Sequence, residues 1–190
     1  MESRTPDSIF RLLTASETGI DFRNDLAYTE KVNPYTFRNF YNGAGVALGD
    51  INNDGLTDIF LAGNQTSNKL YLNQGNLQFK DITDQAGLNS SGYWSTGVSM
   101  ADINGDGLLD IYVCKSGPPG GEKRHNELFI NNGNGTFQEK SKDYGLAAEG
   151  LSQHAVFFDY DKDEDLDMYL LSNSGPVSYT HLTLPTNREV

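Results

Sequence analysis

Short apolar runs recur along this chain, each closed by Gly, Asn or Ser. Gly45-Val46-Ala47-Leu48-Gly49 is followed by Asp58-Ile59-Phe60-Leu61-Ala62, by Lys69-Leu70-Tyr71-Leu72-Asn73 and by Leu77-Gln78-Phe79-Lys80. Runs this short, rich in aromatic and branched residues and separated by turn residues, predict strands rather than helices. The pattern returns as Thr96-Gly97-Val98-Ser99-Met100, Asp110-Ile111-Tyr112-Val113-Cys114, Glu127-Leu128-Phe129-Ile130-Asn131 and Thr136-Phe137-Gln138. Gln74-Gly75-Asn76 and Asn132-Gly133-Asn134-Gly135 predict the matching hairpin turns. A third copy supplies Ala155-Val156-Phe157-Phe158 and residues 167–171, then breaks off at Gly175-Pro176.

Corresponding aspartates, Asp50, Asp102 and Asp159, stand 52 and then 57 residues apart. Four strands per unit at that period point to a β-propeller blade, because the coils of a β-helix are shorter. The predicted fold class is therefore all-β: an incomplete β-propeller of four-stranded antiparallel blades, about two and a half of them. Residues 1–9 read as a disordered or linking segment. Residues 10–43 read as an outer strand of a neighbouring blade plus its connection. Blade 1 is expected over 44–88, blade 2 over 89–146 and a partial blade 3 over 147–176. The outer strand is placed by likeness: Phe10-Arg11-Leu12-Leu13-Thr14 with Gly19 resembles Phe79-Lys80-Asp81-Ile82-Thr83 with Gly87, and Phe137 through Ser141 with Gly145.

Between the first and second strand of every copy lies an acidic loop. Asp50, Asn52, Asp54, Leu56 and Asp58 occupy loop positions 1, 3, 5, 7 and 9. Asp102, Asn104, Asp106, Leu108 and Asp110 repeat the spacing, as do Asp159, Asp161, Asp163, Asp165 and Asp167. Alternate residues of a tight turn point to one side, so the side-chain oxygens at 1, 3, 5 and 9 converge, and position 7 offers its backbone carbonyl. Six to eight hard oxygens at about 2.3–2.6 Å is the calcium shell, whereas magnesium prefers a smaller octahedron and keeps its waters. The loops contain neither Cys nor His, which argues against zinc or copper. Two sites, and a third at the last loop, are therefore expected to hold Ca2+. At position 6, Gly55 and Gly107 permit a positive φ; Glu164 replaces the glycine in the third loop.

Asp, Asn and Gly also make ordinary turns. Against that plainer reading, two unit charges about 4 Å apart repel by roughly 4 kcal/mol at an effective dielectric near 20. Converging carboxylates thus need a cation or must splay into water. An EF-hand fails on two counts. It needs a bidentate Glu at position 12, where Leu61, Val113 and Leu170 stand, and its loop leads into a helix. A thrombospondin-type array would need paired cysteines.

Composition narrows the remaining choices. Of 190 residues, 26 are acidic and 14 basic, a net charge of −12 that three divalent cations would halve. No clustered Lys and Arg face phosphate, so a nucleic-acid partner is not expected. Cys114 is the single cysteine and reads as a small buried hydrophobe. No apolar run approaches the ~20 residues of a membrane span, and the first residues show no export signal. Sites of micromolar to millimolar affinity fill more readily outside the cell, so an extracytoplasmic location is expected, with membrane anchoring only through an N-terminal lipid signal beyond these residues.

Several features carry less. The glycines at 74–76 and 132–135 have no following helix or Lys, so a phosphate loop is excluded. Residues 117–121, with Glu122-Lys123-Arg124-His125, form an insertion that reads either as a specificity-bearing surface loop or as a tolerated flexible insertion. His125 and His154 lack nucleophilic partners, so no catalytic residue is assigned. Tyr35, Phe37, Phe40 and Tyr41 offer a stacking surface or, as the bulkier expectation, burial beside blade 1, and Trp94 divides between core packing and the propeller top. Residues 177–190, Val177-Ser178-Tyr179-Thr180-His181-Leu182-Thr183-Leu184-Pro185-Thr186 onward, read as the in-frame translation of a sequencing adapter; the alternative, a β-strand of Thr/Leu alternation, lacks the repeat's third-strand Asn-x-Leu-aromatic-x-Asn signature.

The repeated loop, with Tyr41-Asn42-Gly43 and Gly92-Tyr93-Trp94 ahead of the first two copies and Asn126-Glu127-Leu128-Phe129-Ile130-Asn131 within the second, resembles the FG-GAP/VCBS repeat family. These are the calcium-loop propeller repeats also found in the integrin α head. The likeness is greatest to the large bacterial VCBS-repeat proteins of the ASPIC/UnbV, cartilage-acidic-protein-like group, and it covers about residues 10–175. It implies a propeller of about seven blades, family metal ligands at Asp50, Asn52, Asp54, Asp58 and their counterparts, and an exported protein, often a surface lipoprotein. Three functions follow as expectations: a calcium-stiffened ligand-binding or adhesion module reading a protein or glycan, a polysaccharide-acting glycosidase or lyase, and a structural spacer.

Overall fold

The computed structural model describes residues 9–90, 94–117 and 125–173. The insertion at 118–124, Gly92-Tyr93 and the tail at 177–190 lie outside them. Strands β1 (Val46–Gly49), β2 (Asp58–Leu61), β3 (Lys69–Asn73) and β4 (Phe79–Asp81) form one antiparallel sheet in that order. Strands β5 (Ser95–Ala101), β6 (Asp110–Lys115), β7 (Glu127–Asn131) and β8 (Phe137–Glu139) form a second sheet of the same topology. A third pairs β9 (Ser152–Phe158) with β10 (Asp167–Ser172). The molecule is all-β, built of propeller-like blades that do not close into a ring.

Register makes the three units superimposable. Leu48 pairs with Ile59, Met100 with Ile111 and Phe157 with Met168. Each sheet thus presents one row of side chains backward and one forward. Ala47, Phe60, Ala62 and Leu70 of blade 1 meet Val98, Ile111, Val113 and Phe129 of blade 2. Tyr112, Cys114, Leu128 and Ile130 on the far side of blade 2 meet Ala155, with Phe157, Met168 and Leu170 of the third sheet alongside. Burial of each large apolar side chain in these layers contributes about 1.5–3 kcal/mol. Strand β2, covered mainly on one face, alternates buried and half-buried positions, whereas β6, sandwiched on both faces, is buried at all six.

The inner strands approach backbone to backbone. A Cβ on Gly45 would stand 2.3 Å from the carbonyl oxygen of Thr96, and one on Gly97 would stand 2.4 Å from that of Gln153. Any larger residue there would force neighbouring blades apart.

The expected outer strand at 10–14 does not form; these residues are irregular, and no neighbouring strand among the described residues offers the ladder bonds a strand needs. The helical turn that follows does form. Helix α1 (Ala15–Thr18) ends at Gly19 and α2 (Thr83–Ala86) at Gly87, both left-handed caps. From α1 the chain climbs the side of blade 1, where the Tyr71 hydroxyl donates to Asp21 at 3.1 Å and Asn24 and Asn64 exchange hydrogen bonds at 2.7 and 2.9 Å. It then crosses the end of the blades opposite the acidic loops. There Asn39 donates to Ser116 at 3.4 Å and accepts from Asn173 at 3.2 Å. Phe37 and Phe40 are buried against Trp94 rather than only beside blade 1, at centroid distances of 4.9 and 5.4 Å. Tyr35 and Tyr41 stay exposed. Trp94 is thus core.

Candidate metal centre

Each acidic loop joins an inner strand to its neighbour, so its two ends are held by the β1–β2 type of ladder. In the first loop Asp50 accepts from the backbone N–H of Asp54 at 3.1 Å and of Gly55 at 2.7 Å. The second loop repeats this: Asp102 accepts from Asp106 at 3.0 Å and Gly107 at 2.8 Å. Leu56 and Leu108 donate their amides to Asp54 and Asp106 at 2.8 and 2.9 Å. These bonds curl each loop around its position-1 carboxylate, but among the described residues only the third loop brings three carboxylates within 4.8 Å of one another. Carboxylate oxygens have two lone pairs each, so accepting one amide leaves capacity for a cation.

Position 9 plays a second part. Asp58 and Asp110 are fully buried. One oxygen of each crosses the loop base to the amide of Ile51 or Ile103, at 3.0 and 2.9 Å. The other takes the amide of Asn73 or Asn131, at 2.8 and 2.9 Å. Burial pushes both carboxyls above the usual range, aided by repulsion from Asp54 and Asp50, or Asp106 and Asp102; the donated amides pull the other way. A cation beside such a group would stabilise its charged form.

Asn73 and Asn131, which end the third strands, were not among the expected site residues. Besides donating the amide, each side chain bonds the position-8 carbonyl, Thr57 at 2.8 Å and Leu109 at 3.2 Å. Each side-chain oxygen also accepts from the turn glycine, Gly75 at 2.9 Å or Gly133 at 3.0 Å. The signal available was an Asn at identical register in both copies.

The third loop departs from both others at positions 2, 3, 4, 6 and 7, and the changes at 6 and 3 bear on the site. Glu164 keeps a φ of 75°, beside 83° at Gly55 and 85° at Gly107, so the bend survives its side chain. At position 3, Asn52 and Asn104 give amide hydrogens to Asp54 and Asp106, at 3.0 and 2.9 Å. Asp161 has no such hydrogen. Its oxygen and those of Asp159 and Asp167 all lie within 4.8 Å of one another. Desolvation, then repulsion from Asp163, Asp167 and Asp159, pushes the Asp161 carboxyl upward. Asp163 instead accepts the amide of Asp165 at 3.2 Å, which holds its carboxyl low. Two oxygens on opposite sides of one calcium would be about 4.6–5.2 Å apart, so the trio fits one such ion.

A run of four-stranded, loop-bearing blades packed face to face defines an integrin-like β-propeller repeat. Residues 50–113 and 119–170 match the FG-GAP-like repeat, and the chain belongs to that family. Among curated relatives, cartilage acidic protein 1 of Xenopus tropicalis is 30% identical over 167 residues, 83% of this chain and 23% of that protein. Its Mus musculus counterpart is 37% identical over 101 residues, 53% of this chain and 15% of that protein. That of Homo sapiens is 35% identical over 101 residues, 53% and 14% of the two chains. The chain therefore spans less than a quarter of the length of these relatives. Among the described residues no helix is long and apolar enough to cross a membrane.

Proposed function

We propose that the three loops bind calcium as structural clamps within the propeller of an exported or cell-surface ligand-binding or adhesion-type protein. The ligands are Asp50, Asn52, Asp54 and Asp58; Asp102, Asn104, Asp106 and Asp110; and Asp159, Asp161, Asp163 and Asp167. The carbonyls of Leu56, Leu108 and Asp165 complete the shells. One observation carries this reading: Asp159, Asp161 and Asp167 bring oxygens within 4.8 Å of one another at the loop that departs most from the repeated sequence. A cation seated among the three would offset their mutual repulsion. The ion would tie the exit of each inner strand to the entry of the next. It would act as a brace and do no chemistry. Calcium sites of micromolar to millimolar affinity fill readily in extracellular calcium, and the name of the relatives refers to cartilage. A protein or glycan partner would read loops that the ion holds still.

Isothermal titration of the whole chain with calcium should give binding heat, and chelation should lower the Tm. At calcium about a hundredfold above Kd, each site adds about 2.7 kcal/mol of stability. Asp54→Ala removes one binding event and leaves the others. Absence of calcium heat from a folded chain defeats the reading. Turnover of polysaccharides that survives loss of the loop aspartates would favour the enzyme instead.

A further inference from the structure

The first and second loops are joined by hydrogen bonds from two asparagines that are not among the proposed cation ligands. Asn53, at position 4 of the first loop, donates from its side chain to the carbonyl of Gly107, at position 6 of the second, over 3.1 Å. Asn131, at the end of β7, donates to the carbonyl of Ile51, at position 2 of the first loop, over 2.8 Å in a buried contact. The same side chain bonds Leu109 in its own loop, and its backbone amide holds the buried Asp110.

Each bond lands between ligands. Asn53 sits between Asn52 and Asp54, and Gly107 between Asp106 and Leu108. Ile51 sits between Asp50 and Asn52. Shifting the ligands of one loop onto a cation therefore moves a group hydrogen-bonded into the other. The third loop lacks this link at position 4, where the second loop has Gly105 and so no side chain to donate. Gly105 nevertheless holds a φ of 72°, against 57° at Asn53 and 65° at Lys162, so the backbone path is the same.

We infer that calcium binding at the first and second loops is positively cooperative, carried by Asn53 and Asn131, and that the third loop binds independently. The inference rests on the calcium reading above and assigns it a regulation. Its sign is diagnostic. Two divalent ions in neighbouring loops repel, so simple electrostatics predicts the opposite; at about 1 M salt, with a Debye length of about 3 Å, that repulsion is screened.

The test is calcium titration of the full chain at that salt concentration, with the first-loop constant identified as the one lost in Asp54→Ala. Asp106→Ala, which disables the second loop, should weaken the first by about tenfold. Asp161→Ala in the third loop should leave it unchanged. In Asn53→Gly, which keeps the positive φ and removes only the donor, the effect of Asp106→Ala should shrink severalfold. A first-loop constant indifferent to Asp106→Ala overturns the coupling while calcium binding stands. An equal response to Asp161→Ala, or an undiminished one in Asn53→Gly, overturns the assigned bridge. No calcium heat in the unaltered chain removes the underlying reading, and the coupling with it.

Discussion

At the scale of single residues, the third loop separates what a cation needs from what a turn needs. A left-handed φ costs a residue with a Cβ about 1–2 kcal/mol, and Glu164 bears that cost at 75°. Glu164→Gly should therefore raise the melting temperature by a few degrees, a net gain of about 1 kcal/mol once the looser unfolded chain is counted. Its calcium stoichiometry should not change. A melt lowered by the glycine would show that the Glu164 side chain holds the loop in a way its backbone does not reveal. Asn131→Ala leaves the buried Ile51 carbonyl and the Asp110 loop under-bonded, and should cost about 1–3 kcal/mol by denaturant titration. The proposed ligands were legible because their period of two matches the geometry of the loop. The asparagine clamps were not, since an Asn that ends a strand reads equally well as the first residue of the hairpin turn after it.

For the elements, period and punctuation sufficed where a strand has at least one neighbour to pair with. The ten strands fall within a few residues of the runs that predict them, the largest difference being β9, which starts at Ser152 rather than Ala155. Residues 10–14 carry the same local pattern but form no strand, because ladder partners are a property of the neighbourhood and not of the run. Burial across β6 was also only half visible. Ile111-Tyr112-Val113-Cys114 is apolar enough for a doubly covered strand, but Lys115 is not, and it is buried where blade 1 has Gly63, its ammonium 2.8 Å from Glu127. This core sets an alkaline limit. Burial raises the Cys114 thiol from 9.0 to about 12 and the Tyr71 phenol from 10.0 to about 12, and it also raises Tyr112. Groups with raised folded pKa values bind protons more tightly in the native state, so their contribution is whole below pH 9 and is lost as pH rises toward 12. Lys115, lowered by burial, runs the other way but is a single group against three. Trp94 fluorescence and circular dichroism should therefore report loss of structure between pH 9 and 12. The Cys114 thiol should resist an aromatic disulfide reagent until that transition. Labelling at neutral pH in the folded chain would contradict the burial.

On the scale of the whole molecule, the blades are interchangeable parts with two unlike faces, and both kinds of face are left open. Val46 and Leu48 on the backward face of blade 1 are 58% and 62% exposed. Their register equivalents, Val98 and Met100, pack against blade 1 from blade 2. Val156, Phe158 and Leu171 on the forward face of the third sheet are 47%, 42% and 49% exposed. The forward face of blade 2 meets a following sheet, and Cys114, the equivalent of Leu171, is buried there. Forward and backward faces fit each other twice within the chain, so the open pair has the shape needed to fit between copies. Such a contact is head-to-tail and adds members rather than closing as a dimer. Sedimentation should show association that grows with protein concentration and has no fixed end point. Leu48→Lys or Phe158→Lys places a charge on one of the two complementary faces and should suppress it. Both sites lie outside the buried layers, so each change should alter folding stability by no more than about 0.5 kcal/mol. Calcium heats should survive, because neither side chain is among the proposed ligands. A single monomeric species at every concentration in the unaltered chain would mean that the two faces, although built from equivalent positions, do not recognise each other outside the intact order of blades.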